Sequence, residues 1–260
     1  MYKMVISDFD KTLIDDDLSI PISTVLTIDD IRRNNVKFIV ATGRGVNFIK
    51  YYIKDVNFID YIISLNGSYI YDVVREKIIF DKALKITDIK KIVNTYRKKP
   101  TKIYLYTDNS RCYLNDLNED TKEIVIRDLN DFLKNNKVYK IEIHTKTNKL
   151  RKEIEKEINE LYDLSINLQE YESKDYLVEI CNKNISKYTG ALYVCKKEKI
   201  EMNDVVAFGD NYNDIELLKN AGMSIAVKNA VKEVKKISSK TTSSNNEKGV
   251  EKSIKDIFKL

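Results

Sequence analysis

Two kinds of hydrophobic pattern run through the outer parts of the chain, and they predict different elements. Lys3 to Ser7 and "VKFIVAT" at 36–42 are short continuous apolar runs, the mark of strands buried on both faces of a parallel sheet. Two more, "DYIISLNGS" at 60–68 and "DVVAFGDN" at 204–211, also end in polar, glycine-containing turns. Between the first two, "ISTVLTIDDIRRNN" predicts a helix with Ser23 as N-cap and Leu26, Ile28 and Ile31 on its apolar face. Strands alternating with helices predict an α/β fold with a Rossmann-like, doubly wound parallel-sheet core.

The middle of the chain has a different rhythm. After the hairpin-like "SYIYDVVREKIIFDKAL", Ile89, Ile92, Val93 and Tyr96 follow helical spacing up to Pro100. Then "KIYLYT", "RCYLND", "VYKIEIHTK", "LSINLQE" and "DYLVEIC" read as strands, with helices expected near 128–135 and 149–161. This clustering predicts an α+β domain inserted into the first layer: core 1–81, insertion 82–183, core again 184–260. The polar stretch "SSKTTSSNNEKG" at 238–249 reads as an exposed loop before a last helix at 250–258.

Composition excludes several classes. With 43% hydrophobic and 33% charged residues, and only 2 Pro and 7 Gly, the chain is neither disordered nor fibrous. A net charge of +5 is mild for 260 residues and argues against nucleic acid as a partner. Eight of the basic residues fall in 82–102 against the single acid Asp88, which reads as a solvated helix face or as a patch that steers anions. Cys112, Cys181 and Cys195 show no C-x-x-C spacing, so reduced thiols in a cytoplasmic protein are expected. No apolar run is long enough to span a bilayer. His144, the only histidine, alternates with Ile141 and Ile143 and reads as an exposed strand residue.

Candidate chemistry gathers where ligands of open parallel sheets gather, at the carboxyl ends of the strands. Asp8 and Asp10, Thr42 and Gly43, Asn66 and Gly67, and Gly209 and Asp210 occupy four such ends, and "GDNYND" at 209–214 adds Asp214. On an extended chain Asp8 and Asp10 project to the same side, where their charges repel unless a cation or a reaction needs them together. Hard carboxylate oxygens suit Mg²⁺.

The segments "DFDKT", "ATGR", the lysine of "NISKYTGAL" and "GDNYND" resemble, in order and wide spacing, the four motifs of the haloacid dehalogenase-like phosphohydrolases. The Cof-type branch is the most similar, through "LNGS" at 65–68, "AGMSIAVKNAVKEVKK" at 221–236 and "NNEKGVEKSI". That resemblance implies a Mg²⁺-dependent phosphatase acting on small phosphorylated metabolites through an aspartyl-phosphate, with the insertion as its cap. It implies Asp8 as nucleophile and Asp10 as general acid and base. It implies Mg²⁺ on Asp8, the backbone carbonyl of Asp10, Asp210 and Asp214. Thr42, Gly43, Lys187 and Asn213 are the expected phosphate contacts, and Arg44, Asn66 and Gly67 the expected substrate contacts. Lys11 stands where the family usually carries glycine, a residue chosen where the backbone needs positive φ or close approach.

The reaction explains these residue types. A carboxylate nucleophile splits one displacement into two, and an anion attacking a phosphoryl group needs cations around it. Sugar phosphates, then phosphorylated cofactors, are the expected substrates. A phosphosugar mutase of the same superfamily and a non-catalytic phosphate- or metal-binding relative are the alternatives.

Overall fold

The computed structural model describes residues 2–53, 56–114, 124–168 and 176–260. In chain order the first segment runs β1 (Met4–Asp8), α1 (Ile22–Arg33), β2 (Lys37–Ala41), α2 (Val46–Tyr52), β3 (Tyr61–Ser64), β4 (Tyr69–Asp72) and β5 (Lys77–Asp81). The middle contains α3 (Ile86–Tyr96), β6 (Thr101–Tyr106), β7 (Arg111–Leu114), β8 (Ile124–Ile126), α4 (Leu129–Asn135), β9 (Lys140–Thr145), α5 (Asn148–Leu161), β10 (Leu164–Leu168) and β11 (Tyr176–Asn182). The last segment is α6 (Lys187–Glu198), β12 (Val205–Gly209), α7 (Ile215–Asn220), β13 (Met223–Ala226), α8 (Lys232–Ile237), β14 (Lys240–Thr241) and α9 (Gly249–Phe258). Two compact units result, one of residues 1–80 and 186–260, the other of residues 81–185. Among the described residues no helix is long and apolar enough to cross a membrane.

The first unit is built on an eight-stranded sheet in the order β14-β13-β12-β1-β2-β3-β4-β5. Its strands are parallel from β14 to β3, and β4 pairs antiparallel with β3. The central runs are buried, apart from Lys37 at the start of β2, because helices cover both faces. On one face Met4, Ile6, Ile39, Ala41, Val205 and Ala207 pack with Ala191 and Val194 of α6 and Leu217 and Leu218 of α7. Alternate residues such as Val5, Phe38, Val40 and Val206 are equally buried on the other, where α1 and α9 pack together.

Helix α1 departs from the expectation. Ser23 does not cap it; Pro21 precedes its first turn, and the hydroxyls of Ser23 and Thr24 donate to the Glu251 carboxylate of α9 at 2.7 and 3.0 Å. Its buried stripe is Thr24, Thr27, Ile28 and Ile31, while Leu26 is 56% exposed. The spacing i, i+3, i+4, i+7 selects the two threonines, and Leu26 lies off that stripe. The polar stretch before α9 is also not simply an exposed loop, since Asn245 is buried in it.

The second unit is a six-stranded sheet, β10-β11-β9-β6-β7-β8, antiparallel except for the β7–β8 pair. The five expected strand segments are present, with the ends of "RCYLND" and "LSINLQE" and the start of "DYLVEIC" outside the described residues. Strand β8 was not expected; three residues are too few for a period to register. Ile89, Ile92, Val93 and Tyr96 of α3, with Ile154 and Ile158 of α5, pack on Ile103, Leu105, Ile141, Ile143, Val178 and Ile180. On the opposite face Lys140 Nζ lies 2.8 Å from Glu142 and 2.7 Å from Glu179, all three buried. His144 is half-buried beside them, edge-on to Tyr104 and 3.4 Å from Glu142, so it is not the plainly exposed residue expected.

Candidate active site

The first strand ends at Asp8, and the chain leaves it in a wide turn closed by the Ile14 N–H donating to the Phe9 carbonyl at 3.1 Å. That early end corrects the alternation argument for Asp8 and Asp10. Their carboxylates take different partners: Asp8 accepts from Lys187, whereas Asp10 is gripped by the Arg44 guanidinium, with Nε and Nη2 donating at 3.0 and 2.8 Å. Arg44 also lies over the Phe48 ring at 4.2 Å.

Lys11 has φ 57° and ψ 11°, in the left-handed region that favours glycine. The lysine holds the conformation at a cost of about 1 kcal/mol. Replacing it should return that energy: Lys11→Gly is expected to raise the melting temperature by about 2–4 °C, read from thermal unfolding followed by circular dichroism. A fall would mean that the lysine side chain contributes more than its backbone costs.

Lys187 is the first residue of α6, whose N-terminus is closed by a capping box in which Ser186 accepts from Thr189 N–H and Thr189 Oγ1 accepts from Ser186 N–H. The start of α6 rests on the "LNGS" turn. Gly67 has φ 99°, and a Cβ there would stand 2.2 Å from the Ser186 carbonyl oxygen, so only glycine fits. Thus Gly67 works by close backbone approach. Lys187 is fully buried, and its Nζ lies 2.5 Å from Asp8 Oδ1 and 2.6 Å from Asp214 Oδ1.

Asp214 is held from its other side by the backbone N–H groups of Asp210 and Asn211, which donate to Oδ2 at 3.0 and 3.1 Å. Gly209 makes room for it, since a Cβ there would come within 2.6 Å of the carboxylate carbon. Asp210, at the end of β12, accepts from the Thr12 hydroxyl at 3.4 Å. The carboxylates of Asp8, Asp210 and Asp214 each bring an oxygen within 4.8 Å of the other two, and all three are buried.

These groups perturb one another. Burial pushes the Asp8 carboxyl up, Lys187 pulls it down, and Asp214 and Asp10 push it up again, leaving it raised. Burial also raises Asp210, reinforced by Asp8 and Asp214. For Lys187 burial favours loss of the proton, but Asp214 and Asp8 outweigh it and the ammonium titrates above its usual range. Three clustered carboxylates have the Lys187 ammonium bonded to two of them, so hard oxygens outnumber that cation. That donor set fits a hard divalent cation such as Mg²⁺.

The remaining expected residues form a second cluster at the ends of β2 and β3. Thr42 is buried, its hydroxyl accepting from Arg44 N–H at 3.0 Å and its carbonyl from Asn66 N–H at 3.0 Å. The Asn66 side chain lies beside Gly43 and accepts from Asn213 Nδ2 at 3.1 Å. Sequence reasoning missed Thr12, although it stands in the same "DFDKT" segment, two residues after Asp10. It also missed Asn229, whose Nδ2 donates to the Lys11 carbonyl at 2.7 Å. Asn229 lies in the "AGMSIAVKNAVKEVKK" segment that carries the resemblance, but nothing local shows what its side chain meets, because the contact joins positions 218 residues apart.

The family description "haloacid dehalogenase-like hydrolase" matches residues 5–254. A Haemophilus influenzae protein provisionally named a phosphatase is 27% identical over 262 residues, 96% of each chain. The 5-amino-6-(5-phospho-D-ribitylamino)uracil phosphatase YitU of Bacillus subtilis is 23% identical over 99% of this chain and 98% of its own. Among solved structures, the subclass IIB sugar phosphatase BT4131 matches with a TM-score of 0.82 at 21% identity, covering 99% of this chain and 100% of its own. At that identity the match speaks for the α/β fold alone. The family resemblance read from the four motifs holds, and the protein belongs to the haloacid dehalogenase-like hydrolases.

Proposed function

We propose that the protein is a cytoplasmic, Mg²⁺-dependent phosphatase that hydrolyses small phosphorylated metabolites through an aspartyl-phosphate on Asp8. The observation that carries this reading is the buried Asp8 carboxylate, bonded to Lys187 and clustered with Asp210, with Asp10 two residues on and held by Arg44.

Asp8 attacks the phosphorus, and the ester oxygen leaves with a proton from Asp10. Asp10, now a carboxylate, takes a proton from water as that water attacks the same phosphorus. Inorganic phosphate departs, and both aspartates regain their starting forms. Lys187 offsets the negative charge gathering at Asp8, while Thr42, Gly43, Asn66 and Asn213 are assigned to the phosphoryl oxygens and their surroundings. Arg44 is assigned the orientation of Asp10 rather than substrate contact. Mg²⁺ would be held by Asp8, Asp210 and the Asp10 carbonyl and would neutralise charge on the transferring group. Asp214, occupied by Lys187 and two N–H groups, is assigned to orienting rather than direct ligation.

The inserted segment, residues 82–183, is assigned substrate selection as a cap. Sugar phosphates are the first choice of substrate, supported by the name of the solved relative, and phosphorylated cofactors the second; the name of the Bacillus relative adds a phosphorylated ribitylaminouracil to the compounds worth testing. The test is inorganic phosphate release from a panel of phosphorylated sugars, nucleotides and cofactors, with Mg²⁺ and with chelator. Release that needs Mg²⁺ is expected, falling at least about 100-fold on chelation. Isomerised product with little free phosphate would point to a mutase instead, and no turnover of any compound would sink the reading.

A further inference from the structure

We infer that Asn229 is a positioning residue that clamps the Lys11 turn and so fixes the direction of Asp10. Both ends of its side-chain amide are committed, and to partners that leave no ambiguity in its orientation. Nδ2 donates to the Lys11 carbonyl at 2.7 Å, a group that can only accept, and Oδ1 accepts from the Asn245 N–H at 3.1 Å, a group that can only donate. Asn245 in turn donates to the Ile14 carbonyl at 3.1 Å and to Asp16 at 2.9 Å. Two asparagines from distant loops therefore stitch the catalytic turn at Lys11, Ile14 and Asp16.

The clamp matters because of the residue it holds. A left-handed lysine favours other conformations, and any return to them rotates the peptide that follows Asp10. A glycine at position 11 visits positive φ about as readily as negative and has less need of restraint. The inference accordingly ties Asn229 to Lys11 in this chain specifically, and it rests on the reading of Asp10 as the acid that protonates the leaving group.

Four proteins test it: wild type, Asn229→Ala, Lys11→Gly and the double variant. Each is assayed for kcat/KM on the alkyl phosphate that the wild type releases fastest and on p-nitrophenyl phosphate, whose leaving group needs little protonation. Asn229→Ala is expected to lower the alkyl value about tenfold or more, with a smaller loss on the aryl ester. In the Lys11→Gly background the alkyl loss should shrink to within about threefold. No loss in Asn229→Ala, equal losses on the two esters, or equal losses in the two backgrounds would overturn the clamp. Should the wild type release phosphate from nothing, the phosphatase reading fails, and the clamp is then decided by melting temperatures of the same four proteins. A larger fall on Asn229→Ala when Lys11 is present than in the Lys11→Gly background supports it, and equal falls overturn it.

Discussion

Asp8→Asn is expected to reduce phosphate release by about 10⁴-fold or more and, in the absence of metal, to make the protein more stable. The loss follows because an amide cannot serve as the nucleophile, and water alone lacks the two-step route. The gain follows from the crowding of carboxylates. The folded Asp8 carboxyl titrates above its ordinary value, burial being the largest cause. Between the unfolded and folded values the native state therefore binds more protons than the unfolded state, and stability falls as pH rises through that interval. Above it the ionised carboxylate penalises the fold, and asparagine removes that penalty while Lys187 keeps Asp214. The melting temperature of Asp8→Asn should exceed that of wild type by a few degrees at neutral pH in chelator, at about 2–4 °C per kcal/mol for a chain of this size. The difference should shrink toward acid pH. Lower stability of the variant at neutral pH would mean that the Lys187–Asp8 pair outweighs the desolvation of Asp8.

Lys187→Met should act in the opposite sense on stability while also stopping turnover. Methionine matches the length of the buried stem but leaves Asp8, Asp210 and Asp214 facing one another without an ammonium. Removing one partner of a buried pair costs about 3–5 kcal/mol, because the charges left behind stay desolvated. The expected fall in melting temperature is about 6–20 °C. Since the folded pKa of Lys187 is raised, its contribution is fully present below the unfolded lysine value. It is lost only as pH rises through the higher folded one. The lysine's own titration should thus narrow the gap between wild type and variant only in alkali stronger than about pH 10, whereas Asp8 and Asp210, whose raised carboxyls Lys187 pulls down, should widen it as pH rises from acid through their range. Adding Asp214→Asn to Lys187→Met removes one stranded charge and should recover part of the loss. A further fall on adding it would show that Asp214 acts mainly through the two N–H groups it holds.

The parts of the fold legible beforehand are those whose signal is local. "VKFIVAT" and "DVVAFGDN" are continuous apolar runs, and β2 and β12 are buried on both faces. Ile89, Ile92, Val93 and Tyr96 follow a helical period and form the buried side of α3. Helix α1 misled because its buried stripe includes two threonines, whose hydroxyl and methyl groups suit either environment. Ser23 looked like a cap, yet a carboxylate 228 positions later takes its hydroxyl. Asn245 looked like loop filler and is buried because the Ile14 carbonyl and Asp16 need its donors.

The site divides in the same way. Residue types, their order and their places at strand ends were set by sequence alone, because a parallel α/β sheet collects the ends of its strands on one edge whatever the side chains do. Which carboxylate meets which cation was decided only by the tertiary structure. Asp8 meets Lys187 across 179 positions, Asp10 turns to Arg44, and Asn229 reaches Lys11, each through packing of elements far apart in the chain. The positive φ of Lys11 belongs to the same class, since an unfavourable backbone conformation survives only where surrounding contacts over-determine it, and those contacts do not exist until the chain has folded.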